Sequence, residues 1–158
     1  MLNQSISTGK QMVGIEFPET IQSRFGEISV DPSRGISFPR GILGMPDKLN
    51  FVLTNFNSEK MGQFKLLQSL DDFQLSFITL PVDINKSVIA IEDVHKAADE
   101  LQIEHEDVVV LLIVSVHRSP SNVRISVNAR APLILDSSQK TGVQYVFHDD
   151  KYKVQHML

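Results

Sequence analysis

Residues 64–81, Phe-Lys-Leu-Leu-Gln-Ser-Leu-Asp-Asp-Phe-Gln-Leu-Ser-Phe-Ile-Thr-Leu-Pro, constrain the fold more than any other stretch of the chain. Two apolar segments, 64–67 and 73–80, flank Gln68-Ser69-Leu70-Asp71-Asp72. The Asp and Ser side chains there can hydrogen-bond nearby backbone and so favour a turn. The pattern predicts a β-hairpin, with Phe64, Leu67 and Phe77 in the core. None of the turn residues stands beside a base or a nucleophile.

The remaining segments extend this into a sheet protein. Residues 13–17 and 25–30 alternate apolar and other residues at period two, as antiparallel strands do. The glycine-rich stretch 35–44 predicts a short strand and then a turn in which Gly41 and Gly44 supply backbone freedom. A strand follows at 49–53, with an exposed connection at 55–62. Residues 92–101 form a helix, because Val94, Ala97, Ala98 and Leu101 recur at i, i+3, i+4 and i+7. Residues 108–114 are β-branched or aliphatic on both faces, the mark of a central strand covered on both sides. Ser119 to Asn122 is a loop. Further strands are expected at 123–127, 133–135 and 141–148, and a closing one at 152–154. The fold class is mainly β: a single-domain antiparallel barrel or sandwich of about nine strands over 12–158, with one short helix and a loose arm at 1–11.

A chain of 158 residues suits one domain, and its 42% hydrophobic content is sufficient for a core. The longest wholly apolar stretch, 108–114, is too short to cross a bilayer, and the N-terminus carries no charged head followed by an apolar segment. A soluble cytoplasmic protein, monomeric alone, is the expectation. The absence of cysteine excludes a disulfide framework and a thiolate metal site. With 15 Lys and Arg against 19 Asp and Glu, the net charge of −4 disfavours direct nucleic-acid binding, which rests on clustered cations. The acids are unevenly spread. Glu92, Asp93, Asp99, Glu100, Glu104, Glu106 and Asp107 fall within 92–107 against Lys96 alone. They read as a solvated helix face and turn, or as a surface that repels phosphate or meets a basic partner.

Catalytic chemistry is not visible. His95, His105, His117, His148 and His156 lack the His-x-x-x-His spacing of a helical metal site, and His148-Asp149-Asp150 reads as turn chemistry. No Gly-x-Ser-x-Gly elbow and no glycine-rich phosphate loop occurs. Asp71 and Asp72 would act as acid and base only if one were desolvated, which a turn disfavours. The chain is expected to be no enzyme and to need no cofactor or metal. The candidates for binding are Gln68, Ser69, Asp71 and Asp72 in the central turn, and Asn128 and Arg130 before Pro132. Each also has a structural reading, as a tie for loop backbone or, for Pro132, as a guard on a sheet edge.

Three stretches keep a recognisable order: Gly35-Ile36-Ser37-Phe38-Pro39-Arg40-Gly41-Ile42-Leu43-Gly44, then Leu67-Gln68-Ser69, then Val127-Asn128-Ala129-Arg130-Ala131-Pro132 with Val143-Gln144 after it. Over about residues 24–154 the chain resembles the flagellar assembly factor FliW family. It departs from the family pattern at Met45, Val88 and Ala129, where aromatic residues or Leu are usual. The resemblance implies a cytoplasmic, non-enzymatic partner switch. Such a protein binds the RNA-binding regulator CsrA, relieves its repression of flagellin mRNA, and also binds newly made flagellin, which releases CsrA. The resemblance also implies that CsrA is antagonised from outside its RNA contacts, and Asp99, Glu100, Glu104, Glu106 and Asp107, if held near the RNA path, would oppose its phosphates. A small ligand-binding barrel and an RNA-binding sheet module remain the alternatives.

Overall fold

The computed structural model describes residues 16–56, 58–83 and 88–158. The arm expected at 1–11, and residues 13–15 of the first expected strand, lie outside the described residues, while Glu16 and Phe17 belong to no strand. The elements are β1 (Thr20–Ser23), β2 (Gly26–Ser29), β3 (Gly35–Ser37), β4 (Asn50–Asn55), β5 (Lys65–Ser69), β6 (Ser76–Pro81), α1 (Ile91–Glu100), β7 (Val108–Ser119), β8 (Asn122–Val127), β9 (Leu133–Asp136), β10 (Thr141–Gln144) and β11 (His156–Met157).

Nine strands form one sheet in the order β11-β8-β7-β6-β5-β4-β3-β10-β9, and β9 pairs back onto β7. Seven strands therefore close on themselves as a barrel, while β8 and β11 extend beyond it along the second half of β7. The expected antiparallel pairing holds except at one joint, where β3 and β10 run parallel through Thr141 and Ser37. There the Ser37 N–H donates to the Lys140 carbonyl at 2.9 Å. Strand β1, which the sequence did not lead us to expect, pairs with β2 through a turn at Arg24 and Phe25. The closing strand lies at β11 rather than at 152–154, and β10 ends at Gln144, four residues earlier than expected.

Alternation along the strands sorts the core into layers. Inside the barrel lie Ile36, Phe38, Phe51, Leu67, Leu111, Leu133 and Leu135. On the outer face Val110, Leu112 and Ile134 meet Val94 of α1, together with Ile89 and Tyr152. Leu66 faces a third cluster with Ile21 and Ile28 of the β1–β2 hairpin. Each fully buried aliphatic or aromatic side chain contributes about 1.5–3 kcal/mol. The helix presents the expected stripe, with Val94, Ala97 and Ala98 buried. Its two alanines let the backbone lie close to the sheet.

At two glycines a Cβ would collide with its neighbours. Gly41 has φ +68°, and a Cβ there would sit 2.4 Å from the Met45 carbonyl oxygen. Gly142 lies at the parallel joint, where a Cβ would come within 2.7 Å of both the Leu135 Cδ2 and the Phe38 ring. Phe38 is fully buried and packs edge-on against Phe51 with ring centroids 5.4 Å apart, so it has no room to withdraw. Gly142→Ala is expected to lower stability by about 1–3 kcal/mol, as overpacking does. Urea denaturation of the two proteins measures the difference, and an unchanged midpoint would refute the tight joint.

Candidate partner-binding surface

The central turn differs from its sequence reading in a way that changes its role. Gln68 and Ser69 are not turn residues: they end β5 and are completely buried. The turn spans residues 70–75, so Phe73 leaves the strand expected at 73–80 and is 44% exposed. The Gln68 amide Nε2 donates to the carbonyls of Ser69 and Phe73 at 2.9 and 3.0 Å, and its Oε1 accepts from the Ser76 hydroxyl. The Ser69 Oγ accepts the backbone N–H groups of Asp71 and Asp72 at 3.0 and 2.9 Å. These two side chains are the internal frame of the turn.

Asp71 ties the same turn to β4. Its carboxylate accepts the backbone N–H groups of Leu49 and Asn50 at 2.8 and 2.9 Å and the Asn50 side-chain amide at 3.2 Å. Partial desolvation pushes its carboxyl up, but the donors from Asn50 and Leu49 outweigh that and hold it below the usual carboxylate range. Asp72 is exposed and accepts only the Gln74 N–H, at 3.0 Å. Asp71, Phe73 and Gln74 are exposed beside it.

Asn128 and Arg130 sit beside the C-terminal segment. The Asn128 Oδ1 accepts the Ala131 N–H at 3.0 Å. The Arg130 guanidinium donates to the His148 carbonyl at 3.4 Å and lies 3.6 Å from the Asp150 carboxylate. A residue outside the sequence candidates, Gln144, joins two of the quoted stretches. It donates to the Ala131 carbonyl at 3.0 Å and accepts the Leu43 N–H at 2.9 Å. Leu43, at the tip of the glycine loop, is 58% exposed. The signal for Gln144 was its place after Val143 in the late stretch.

The acidic segment is only partly one surface. Asp99, Glu104 and Glu106 line one shallow depression with Gln102 and His105. The Asp99 Oδ1 lies 2.7 Å from the His105 Nε2, and the His105 ring stacks on His95 with centroids 4.0 Å apart. Glu100 is engaged elsewhere: it accepts the Tyr145 hydroxyl at 2.5 Å, which raises that phenol to about 12. Asp107 is half-buried where β7 begins. At His148-Asp149-Asp150 the Asp149 Oδ1 accepts the Lys151 N–H, as turn chemistry requires. Among the described residues no His, Asp and Glu cluster could hold a metal.

Two outcomes follow for the turn. Gln68→Ala removes the partner of the buried Ser76 hydroxyl and is expected to cost about 2–3 kcal/mol, seen as a lowered thermal midpoint. The folded carboxyl of Asp71 titrates below its unfolded value of about 3.9, so its contribution is present above that pH and is lost as pH falls through the lower folded value. Asp71→Asn should therefore be less stable than wild type at pH near 7 and lose less on acidification below about pH 4. Denaturant titrations at both pH values check this, and parallel acid losses would refute it.

Comparison with known proteins agrees with this architecture. The family model described as FliW protein matches residues 19–158. The chain is 31% identical over 135 residues to the flagellar assembly factor FliW of Thermoanaerobacter pseudethanolicus, covering 85% of this chain and 88% of that protein. It is 34% identical over 126 residues to that of Clostridium novyi, covering 78% and 84%. A crystal structure of the flagellar assembly factor FliW superposes with a TM-score of 0.66 at 23% identity, covering 87% of this chain and 95% of that one, and so shares the fold. On the family match across the barrel and its extension, the chain belongs to the FliW family of flagellar assembly factors.

Proposed function

We propose that the protein works without catalysis, by binding CsrA so that CsrA no longer represses flagellin mRNA, and by giving CsrA up when flagellin binds. The observation that carries this reading is the family match over residues 19–158. The surface chemistry supports it. The depression around Asp99, Glu104 and Glu106 offers carboxylates to a basic regulator, and Glu104 and Glu106 are exposed. Flagellin releases CsrA only to the extent that the two compete for the protein, since a ligand shifts an equilibrium by its difference in affinity between states.

The sequence candidates divide on this reading. Asp72 takes the contact role in the central turn, whereas Gln68, Ser69 and Asp71 shape its backbone. Asn128 and Arg130 hold the C-terminal segment in place for whichever partner meets it. Of the five acids, Asp99, Glu104 and Glu106 would oppose RNA phosphate, and Glu100 and Asp107 serve the fold.

CsrA binding RNA in the presence of saturating protein is the test. Asp99→Asn, Glu104→Gln and Glu106→Gln together should keep CsrA binding but weaken RNA displacement at low salt. Wild-type displacement should itself fade with salt, because the Debye length falls from about 10 Å at 0.1 M to about 3 Å at 1 M. Equal displacement by the neutralised variant would instead favour a change of conformation in CsrA. Failure of CsrA and flagellin each to associate at about 50 μM, a weak affinity for a specific complex, would overturn the reading.

A further inference from the structure

Beyond Ile113, β7 leaves the barrel and pairs only with β8, and β11 adds to the far side of β8. Cross-strand partners lie on one face of a sheet. The pairs Val114 with Val127, Val116 with Ile125 and Arg118 with Val123 therefore share a face. The Leu158 N–H donates to the Ile125 carbonyl, bringing the end of the chain alongside. At its base this face belongs to the core: Val127 is buried and Val114 packs against the cluster under α1. Outward it continues uncovered, with Val116 39%, Val123 55% and Leu158 58% exposed.

The charge here is the reverse of the rest of the molecule. No Asp or Glu occurs from Val108 to Leu135, while Arg118, Arg124 and Arg130 do, in a chain of net charge −4. Beside β11 a groove lined by Val88, Tyr152, Lys153, His156 and Met157 carries further cations and no carboxylate. Among the described residues, Arg118, Arg124 and Lys153 have no carboxylate within 4.0 Å.

We infer that the projecting sheet of β7, β8 and β11, with the groove beside it, docks an acidic amphipathic segment of a partner protein. Its aliphatic side chains cover Val116, Val123 and Ile125, and its carboxylates meet Arg118 on the same face and Lys153 in the groove, whereas Arg124 pairs with His117 on the opposite face. An apolar stripe rimmed by unpaired cations fits such a segment. RNA fits less well, because the stripe is aliphatic and the Tyr152 ring of the groove is buried, so base stacking is poorly served. The inference goes beyond the proposed function and needs neither CsrA nor flagellin.

The test is fluorescence anisotropy of the full chain with three labelled probes: a peptide with Leu at helical spacing among Glu residues, its twin with Lys for Glu, and a single-stranded RNA. The Glu peptide should bind with Kd on the order of 10–100 μM and the Lys twin at least about tenfold more weakly. Val116→Ser with Val123→Ser should weaken the Glu peptide by about tenfold, and Arg118→Glu with Lys153→Glu should abolish the preference for it, while Arg124→Glu, on the opposite face, should leave it. All of these positions are exposed, so thermal midpoints should barely move, and should the serine pair unfold the chain, the charge-reversed pair still decides. Equal binding of the two peptides, binding of the RNA alone, or a dimer by sedimentation that Val123→Ser dissolves would each overturn the proposal, the last in favour of a second copy of this chain.

Discussion

The architecture depends on β7 being shared. Its first half pairs with β6 on one side and β9 on the other, which closes the barrel, and its second half pairs with β8 outside it. One strand thus has to be apolar on both faces where it is enclosed: Leu111 faces the barrel interior while Val110 and Leu112 face α1. Beyond residue 114 only one face keeps that requirement, and Ser115, His117 and Ser119 appear at alternate positions on the other. A charged residue at 110, 111 or 112 would disrupt two elements at once, since each side of the strand is a packed layer.

The fold was legible where the period was clean. The double-sided run at 108–114, the helix stripe at Val94, Ala97, Ala98 and Leu101, and the two glycines of the 41–44 loop all describe forces that act within a few residues. The joint between β3 and β10 was not legible, because a single parallel pair depends on where the chain returns after more than a hundred residues. Strand β1 was not expected, for a local reason. Thr20, Gln22 and Ser23 are polar, and only Ile21 is buried, against Ile28 and Leu66, so β1 carries almost no alternating hydrophobic signal.

The surface was read less well, for a related reason. Polarity suggested that Gln68 and Ser69 were exposed, yet a buried amide and hydroxyl are stable when every donor and acceptor is matched, and here they are matched to the carbonyls and N–H groups of the very turn they precede. The acidic run likewise appeared as one surface because its residues are close in sequence. Helix geometry turns Glu100 toward Tyr145 and leaves Asp99, Glu104 and Glu106 together. Exposure of an apolar residue such as Val123 is equally invisible from a strand's period, since whether a face is covered depends on elements elsewhere in the chain.

The acidic and cationic surfaces are not mechanically separate. Helix α1 lies between them, clasped to the C-terminal segment by three side chains. The Tyr152 hydroxyl donates to the Asp93 carboxylate at 2.5 Å and accepts the Ala90 N–H at 3.0 Å, while the Lys151 ammonium lies 2.8 Å from the same carboxylate. Those bonds from Lys151 and Tyr152 hold the Asp93 carboxyl below its ordinary range. At the other end of the helix Tyr145 holds Glu100. Asp93 and Glu100 are thus engaged by the C-terminal segment rather than by the acidic depression, and Tyr152 and Lys153 of that segment line the groove on the cationic side. The clasp therefore fixes α1 against the same C-terminal segment whose Tyr152 and Lys153 line the cationic groove, so that segment and the helix are held as one packed unit.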